Sequence, residues 1–229
     1  QYPSTTFANY KADLMDAMVD LGINALRLEA NAGDERNTAW VDDSTGTTVN
    51  DDGSPTTLNA SGFLYNRVTT AMDSFGTDYR AKLLTETGQT LYLTLAFVDF
   101  RSFNSLHENS PAELAEFMFA FCKKFRDTCG YDIDAIQLIL EPDNQAGSSW
   151  TAQTLSDGIV AVRSRLDAEG YSGVKITGFS NTNPNTVATW YADAKTQNAS
   201  ISTDVDYVAY NRYVGFDPSN ITTLKNSVD

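Results

Sequence analysis

The segment at residues 135–144 reads AIQLILEPDN, so a short, mostly apolar run leads directly into the carboxylate Glu141. An apolar run of this length, closed by Pro142, is typical of a buried β-strand. The run is too short for a helix of ordinary length. The segment therefore predicts a buried strand with an acidic side chain at its carboxyl end.

Four similar apolar runs flank this segment, and stretches with helical spacing separate them. Strands alternating with helices predict an α/β domain with a mainly parallel sheet. The predicted strands are Ile23–Ala30, Leu91–Val98, Ala135–Leu140, Val174–Phe179 and Val205–Tyr210. The predicted helices are Ala8–Leu21, Tyr65–Thr87 with an interruption at Gly76, Ser110–Phe125, Leu155–Ala168 and Val187–Ala194.

Details within these helices give further expectations. In the first helix, Leu14, Met18 and Leu21 share one face and are expected in the core. Ser110 and Glu113 are spaced to form a capping box at the start of the third helix.

Periodicity alone leaves two sheet architectures open, a closed barrel and an open doubly wound sheet. A doubly wound nucleotide-binding domain carries a glycine-rich turn after a strand, of the form G-x-G-x-x-G or G-x-x-x-x-G-K-[ST]. Neither pattern occurs in the chain, which disfavours nucleotide binding. No composition shift or linker divides the sequence, so residues 1–229 are expected to form a single domain.

The charge balance excludes two classes of partner. Lys and Arg number 16 against 30 Asp and Glu, which gives a net charge of −14. Nucleic acids and anionic membranes both require clustered basic side chains, so neither is expected as a partner. No apolar run approaches the roughly 18 residues that a membrane-spanning helix needs.

Polar side chains follow most of the predicted strands. In a parallel barrel all carboxyl ends of the strands lie on one rim, where active sites are built. A strand end is also simply where a chain becomes polar, and this explains Asp99 and Asn181 well. This explanation fits Glu141 poorly. Burial against apolar walls disfavours the charged form of a carboxyl group, and a general acid must carry its proton. The competing interpretation of Glu141 is a structural ion pair with an arginine.

Three segments, in order, resemble the clan A glycoside hydrolases, which are retaining enzymes with a (β/α)8 TIM barrel. Residues 136–144 (IQLILEPDN) resemble that clan's fourth strand, which usually ends Asn-Glu-Pro. Residues 21–28 (LGINALRL) resemble its second strand, with Arg27, and residues 205–213 (VDYVAYNRY) resemble its sixth. The resemblance implies a partial TIM barrel that covers strands two to six, without a recognisable first strand or last two strands.

The chain departs from the clan pattern at several positions. Leu140 stands where the clan usually has Asn, and Asn211 replaces the usual His. The clan's nucleophilic Glu belongs on the seventh strand, and the only Glu after Glu141 is Glu169, at the end of a predicted helix. The resemblance therefore implies the acid/base half of the catalytic pair, with the nucleophile supplied by a missing segment or a second chain.

The resemblance also assigns roles to individual residues. Glu141 is the expected acid/base, and Arg27 is expected to orient the nucleophile. No cofactor and no metal are implied. The expected substrate-binding residues are Asn144, Asn211, Tyr213, Trp150, Trp40, His107 and Asp99, with the tryptophans in loops where they can stack on sugar rings. For His107 the alternative is an ordinary surface residue in a loop.

Two cysteines, Cys122 and Cys129, bracket a predicted helix end, where a local disulfide is feasible. Two free buried thiols are the alternative. The acidity and the abundance of Ser, Thr and Asn favour a secreted protein.

Three functions follow from these observations. The first is a glycosidase that cleaves a β-linked polysaccharide or oligosaccharide. The second is a non-catalytic carbohydrate-binding or scaffold protein built on the same barrel. A phosphate-handling lyase is third and disfavoured, because the only strand lysine, Lys175, stands at the start of its strand.

Overall fold

The computed structural model describes residues 4–31, 56–58, 60–63, 65–98, 106–144, 150–211 and 217–228. Their strands are β1 (Ala25–Asn31), β2 (Tyr92–Val98), β3 (Ala135–Gln137), β4 (Lys175–Asn181) and β5 (Tyr207–Tyr210). Their helices are α1 (Ser4–Asp20), α2 (Asn66–Ala71), α3 (Arg80–Thr87), α4 (Leu106–Asn109), α5 (Pro111–Cys129), α6 (Ala152–Ala168), α7 (Pro184–Gln197), α8 (Ile201–Asp204) and α9 (Pro218–Val228). A π-helical stretch (Met72–Tyr79) joins α2 to α3, and short 3₁₀ turns occur at Ala60–Gly62 and Pro142–Asn144.

The five strands form one parallel sheet in the order β1-β2-β3-β4-β5. Because crossovers between parallel strands are right-handed, a sequential order places all connecting helices on one face of the sheet. A doubly wound sheet instead reverses its strand order at a switch point. The order therefore argues against a doubly wound sheet, and it is consistent with part of a barrel. A closed barrel is not seen among the described residues.

Two tyrosines show that this sheet is curved. The Tyr207 phenol on β5 lies close enough to raise the pKa of Tyr92 on β2, although β3 and β4 lie between their strands. Three strand spacings in a flat sheet would separate the two backbones by about 14 Å. Both side chains therefore stand on the concave face, opposite the helices.

The core lies between the sheet and the helices. Along β1, Leu28 and Ala30 are buried, whereas Arg27 and Glu29 are exposed. The alternation assigns the two apolar side chains to the helix-covered face and the two charged ones to the concave face. Large apolar side chains from β2, α5 and β4 fill the centre, including Phe97, Phe117, Phe121 and Phe179.

The predicted buried face of α1 is partly wrong. Met15 and Met18 are buried, whereas Leu14 and Leu21 are 41% and 77% exposed. Helical periodicity defines the direction of an apolar stripe and leaves open which of its flanks meets the sheet.

The α-helix is interrupted around Gly76, as predicted, but by a π-helical stretch, so the chain remains helical through the interruption. A Cβ atom at Gly76 would lie 2.7 Å from the sulfur of Cys129. Gly76 therefore permits close packing between this helix and α5.

The end of α5 corrects the disulfide prediction. The helix continues to Cys129, and both Cys122 and Cys129 are free thiols. Seven residues of α-helix separate their backbones by about 10 Å along the axis, beyond the reach of a disulfide. The start of α5 differs as well: Ser110 occupies the N-cap position and Pro111 follows it, but Ser110 makes no side-chain cap bond, so the expected capping box is absent.

None of the described helices combines the length and the apolar character that crossing a bilayer demands.

Candidate active site at the carboxyl edge of the sheet

The chain leaves β3 between two neighbouring strands and stays bonded to both. Leu138 N donates to Thr177 O of β4, and Leu140 N donates to Phe97 O of β2. Glu141 N then donates to Ser180 O, again on β4, at 3.0 Å. These bonds extend β3 to its carboxyl end and hold Glu141 at the edge of the sheet where the sequence placed it.

Glu141 has an unusual backbone and is well buried. Its φ angle is 51°, and no other described residue except glycine has a positive φ. The residue as a whole is only 5% exposed. Left-handed backbone at a residue with a Cβ is costly, and such strain is concentrated at functional sites.

Two asparagine side chains hold the Glu141 carboxylate, one on each oxygen. Asn211 Nδ2, just beyond β5, donates to Oε1, and Asn144 Nδ2 donates to Oε2 at 3.0 Å. Asn211 is itself fixed, because its backbone N donates to Asn181 O at 3.0 Å. The two amides therefore set the orientation of the carboxylate plane. The sequence named both residues as substrate-binding, and the structure brings both to Glu141 itself.

Asp143 anchors the turn that carries Glu141, and sequence analysis did not single it out. Thr182, which follows β4, donates its backbone N to both Asp143 oxygens, at 2.9 and 3.1 Å. Thr182 Oγ1 donates to Oδ2 at 2.7 Å. Asn144 N closes the turn by donating to Glu141 O at 2.9 Å. In the sequence, Asp143 stands out only as an acidic residue shortly after a predicted strand. Its partner Thr182 could not be predicted, because their contact depends on the register between β3 and β4.

Arg27 lies on the concave face of β1, at the level of Thr94 and Ala135 in the sheet register. Its guanidinium donates to Glu29 Oε1 at 2.9 Å. Leu140 hydrogen-bonds to Phe97, which pairs with Ala30 in the sheet register. Arg27 precedes Ala30 by three residues on β1, so it lies about 10 Å from the edge that carries Glu141, toward the amino ends of the strands. Its role toward a nucleophile stays a prediction.

His107 and Trp150 occupy different environments from those expected. His107 lies in α4, is 2% exposed, and packs edge-on against Phe97 and Phe117 at ring separations of 5.2 and 4.9 Å. The expectation that His107 lies in an exposed loop is therefore wrong. Trp150 is 6% exposed and packs in the core. Sugar stacking requires an open aromatic face, which Trp150 does not present.

Three predicted substrate-binding residues, Asp99, Trp40 and Tyr213, lie outside the described residues. The described part of the chain contains no cluster of three or more His, Cys, Asp or Glu side chains that could hold a metal ion.

The described residues form an α/β protein with a five-stranded parallel sheet, and this fold is shared with solved structures. Comparison with solved structures finds the endo-beta1,6-glucanase BT3312, with a TM-score of 0.63 and 15% identity over 96% of this chain and 50% of that one. SrfJ from Salmonella typhimurium matches with a TM-score of 0.64 and 15% identity over 93% of this chain and 49% of its own.

At this identity the likeness shows the fold alone, and the chain spans about half the length of these two structures. No family model and no curated protein matches the sequence.

Proposed function

We propose that the chain carries the acid/base half of a retaining glycoside hydrolase that acts on a β-linked polysaccharide or oligosaccharide. One observation carries this proposal: a buried carboxylate with a strained backbone stands at the carboxyl edge of a parallel sheet, with an amide on each oxygen. The shared fold with an endo-beta1,6-glucanase supports it and suggests a β-1,6-glucan as the first substrate to test. A polysaccharide substrate also agrees with a secreted protein.

In this mechanism Glu141 acts twice. Its protonated carboxyl donates a proton to the glycosidic oxygen as a second carboxylate attacks the anomeric carbon and the leaving group departs. The Glu141 carboxylate then takes a proton from water, whose oxygen displaces the enzyme carboxylate from the anomeric carbon. The two carboxyl groups of such a pair stand about 5–5.5 Å apart.

The second carboxylate comes from outside the described residues in this proposal. Glu169, the only glutamate after Glu141, lies at the carboxyl end of α6 and pairs with Arg165 at 3.2 Å. Because α6 runs antiparallel to the strands, its carboxyl end lies at the opposite edge of the sheet from Glu141. A further segment or a second chain that completes the barrel would supply the nucleophile, and Arg27 would orient it.

The test is hydrolysis of β-1,6-glucan, and of a panel of other β-glucans, by the chain together with the segment or second chain that completes the barrel, and by the same assembly with Glu141→Gln. Loss of one general acid/base typically lowers turnover by about 10²- to 10⁴-fold. Glu169→Gln is the matched control and should retain the parental rate. Activity that survives Glu141→Gln unchanged would remove Glu141 from the mechanism.

A non-catalytic carbohydrate-binding or scaffold protein is the second candidate. The observation that favours it is the position of Glu169, which lies at the carboxyl end of α6 and pairs with Arg165, away from the edge that carries Glu141. Saturable binding of β-glucan oligosaccharides without any turnover, measured by calorimetry, would favour this candidate over the enzyme.

A further inference from the structure

We propose that Asp143 is a positioning residue, which with Thr182 forms a clamp that holds the strained Glu141 in place. This inference rests on the proposed function for its catalytic meaning. The clamp itself consists of the Asp143 carboxylate and the backbone N and hydroxyl of Thr182.

The first step of the argument is that the turn at Glu141 needs an external restraint. Its φ of 51° is unfavourable for a residue that carries a Cβ atom. Pro142 follows and has no N–H of its own to contribute. The turn's internal bond runs from Asn144 N to Glu141 O, and the bond from Glu141 N to Ser180 O restrains only the start of the turn, so the rest of the turn depends on a further contact.

The second step is that the clamp ties this turn to a rigid part of the molecule. Thr182 stands between the end of β4 and Asn183, whose side chain accepts a hydrogen bond from Thr186 N at 3.0 Å and caps α7. Both sides of Thr182 are therefore fixed by regular structure. Hydrogen bonds to a charged acceptor are among the stronger ones, so the Asp143 carboxylate is well suited to restrain the turn.

The third step links the clamp to the carboxylate. Asn144, which donates to Glu141 Oε2, directly follows Asp143 on the same turn. A shift of the turn would therefore move both the Glu141 backbone and one of the two amides that orient its side chain. Misplacement of a reacting group by about 1 Å can lower a rate by as much as about 100-fold.

The experiment compares Asp143→Ala, Thr182→Val and Thr182→Ser in the full chain, with Asp193→Ala on the exposed surface of α7 as control. Hydrogen–deuterium exchange is read in peptides that contain the amides of Glu141 and Asn144. We expect about tenfold faster exchange there in Asp143→Ala and a smaller increase in Thr182→Val. Thr182→Ser restores the hydroxyl and should restore parental exchange, and the control should leave it unchanged.

A second readout follows the side chain directly. The ¹³C resonance of the Glu141 carboxyl, assigned by its loss in Glu141→Gln, should shift in Asp143→Ala and Thr182→Val and return in Thr182→Ser. Where the parent hydrolyses β-1,6-glucan, Asp143→Ala should lower kcat by about tenfold or more with little change in KM.

Unchanged exchange and an unchanged Glu141 resonance in Asp143→Ala would overturn the clamp. Absence of hydrolysis by the completed barrel would count against the proposed function and leave these two readouts to decide the clamp on their own.

Discussion

The backbone of Glu141 is strained, and this strain lowers the stability of the fold while it places the carboxylate at the edge of the sheet. Its left-handed conformation suits glycine, yet the position carries a carboxylate held by Asn144 and Asn211. Strain of this kind persists only where the surroundings restrain it, and here the neighbouring strand and turn do so.

We expect Glu141→Gly to be more stable than Glu141→Ala by about 1 kcal/mol, because both remove the side chain and only glycine relieves the strain. The free energy of unfolding from urea denaturation measures the difference. The same pair at Ser164, exposed in α6, should show the opposite sign, since glycine is about 0.5–1 kcal/mol less favourable than alanine within a helix. Equal stability of Glu141→Gly and Glu141→Ala would contradict strain at this position.

The two cysteines differ in their surroundings and should differ in reactivity. Burial raises the pKa of the Cys122 thiol to about 12 and also raises that of Cys129. A raised pKa lowers the thiolate fraction, and thiolate is the reacting form.

At pH 8 the native chain should therefore react slowly with a thiol reagent, at the half-buried Cys129 before Cys122. Denatured chain that has never met a reductant should release two thiol equivalents, and Cys129→Ser one. Zero equivalents would show that the two cysteines form a disulfide, which the helix geometry excludes.

At the scale of elements, sequence patterns located the five strands and most helices, and they failed where tertiary packing decides. Gly88, Gly130 and Gly170, each at or directly beyond a helix end, all have positive φ. Gly76 is also a glycine, but it does not end the helix. It permits close packing against α5, and this role is visible only in the folded structure.

The candidate site shows a similar division. Glu141 could be predicted, because an acidic residue directly after a buried strand is conspicuous in the sequence. The Asp143–Thr182 clamp could not, because its partners are 39 residues apart and meet only through the register of β3 and β4.

The cap of α7 provides a test at this scale. Asn183 accepts a hydrogen bond from Thr186 N, and we expect Asn183→Ala to lower the free energy of unfolding by about 1 kcal/mol. Asn183→Asp keeps an acceptor at the same position and should remain within a few tenths of a kcal/mol of the parent. Thermal and urea unfolding of the three proteins would show whether the cap is used, and identical values for the alanine and aspartate variants would contradict it.

At the scale of the whole molecule, buried tyrosines link stability to alkaline pH. Burial raises the pKa of Tyr131 and of Tyr171 to about 12. In the unfolded chain these groups ionise near their ordinary value of about 10. Folding therefore favours their neutral form, and the stability that this provides is present below pH 10 and lost as the pH rises toward 12.

We expect the free energy of unfolding to fall steadily above pH 10, with phenolate absorbance at 295 nm appearing in two steps. Exposed tyrosines should ionise first and the buried ones together with unfolding. Tyr131→Phe should reduce the alkaline loss, whereas Tyr10→Phe, at a residue 62% exposed, should not. A single absorbance step at pH 10 with stability unchanged would contradict the buried environment of these rings.

The strand order has a consequence for how the chain acquires its structure. Each described strand after β1 pairs with the strand that precedes it in the sequence. The paired residues are nonetheless 29 to 67 positions apart, from Ser180 and Ala209 to Ala25 and Tyr92, and parallel pairing across such spans slows folding. A chain emerging from the ribosome would add these strands in order, and the pairings around Glu141 would become possible only after β5 had been translated.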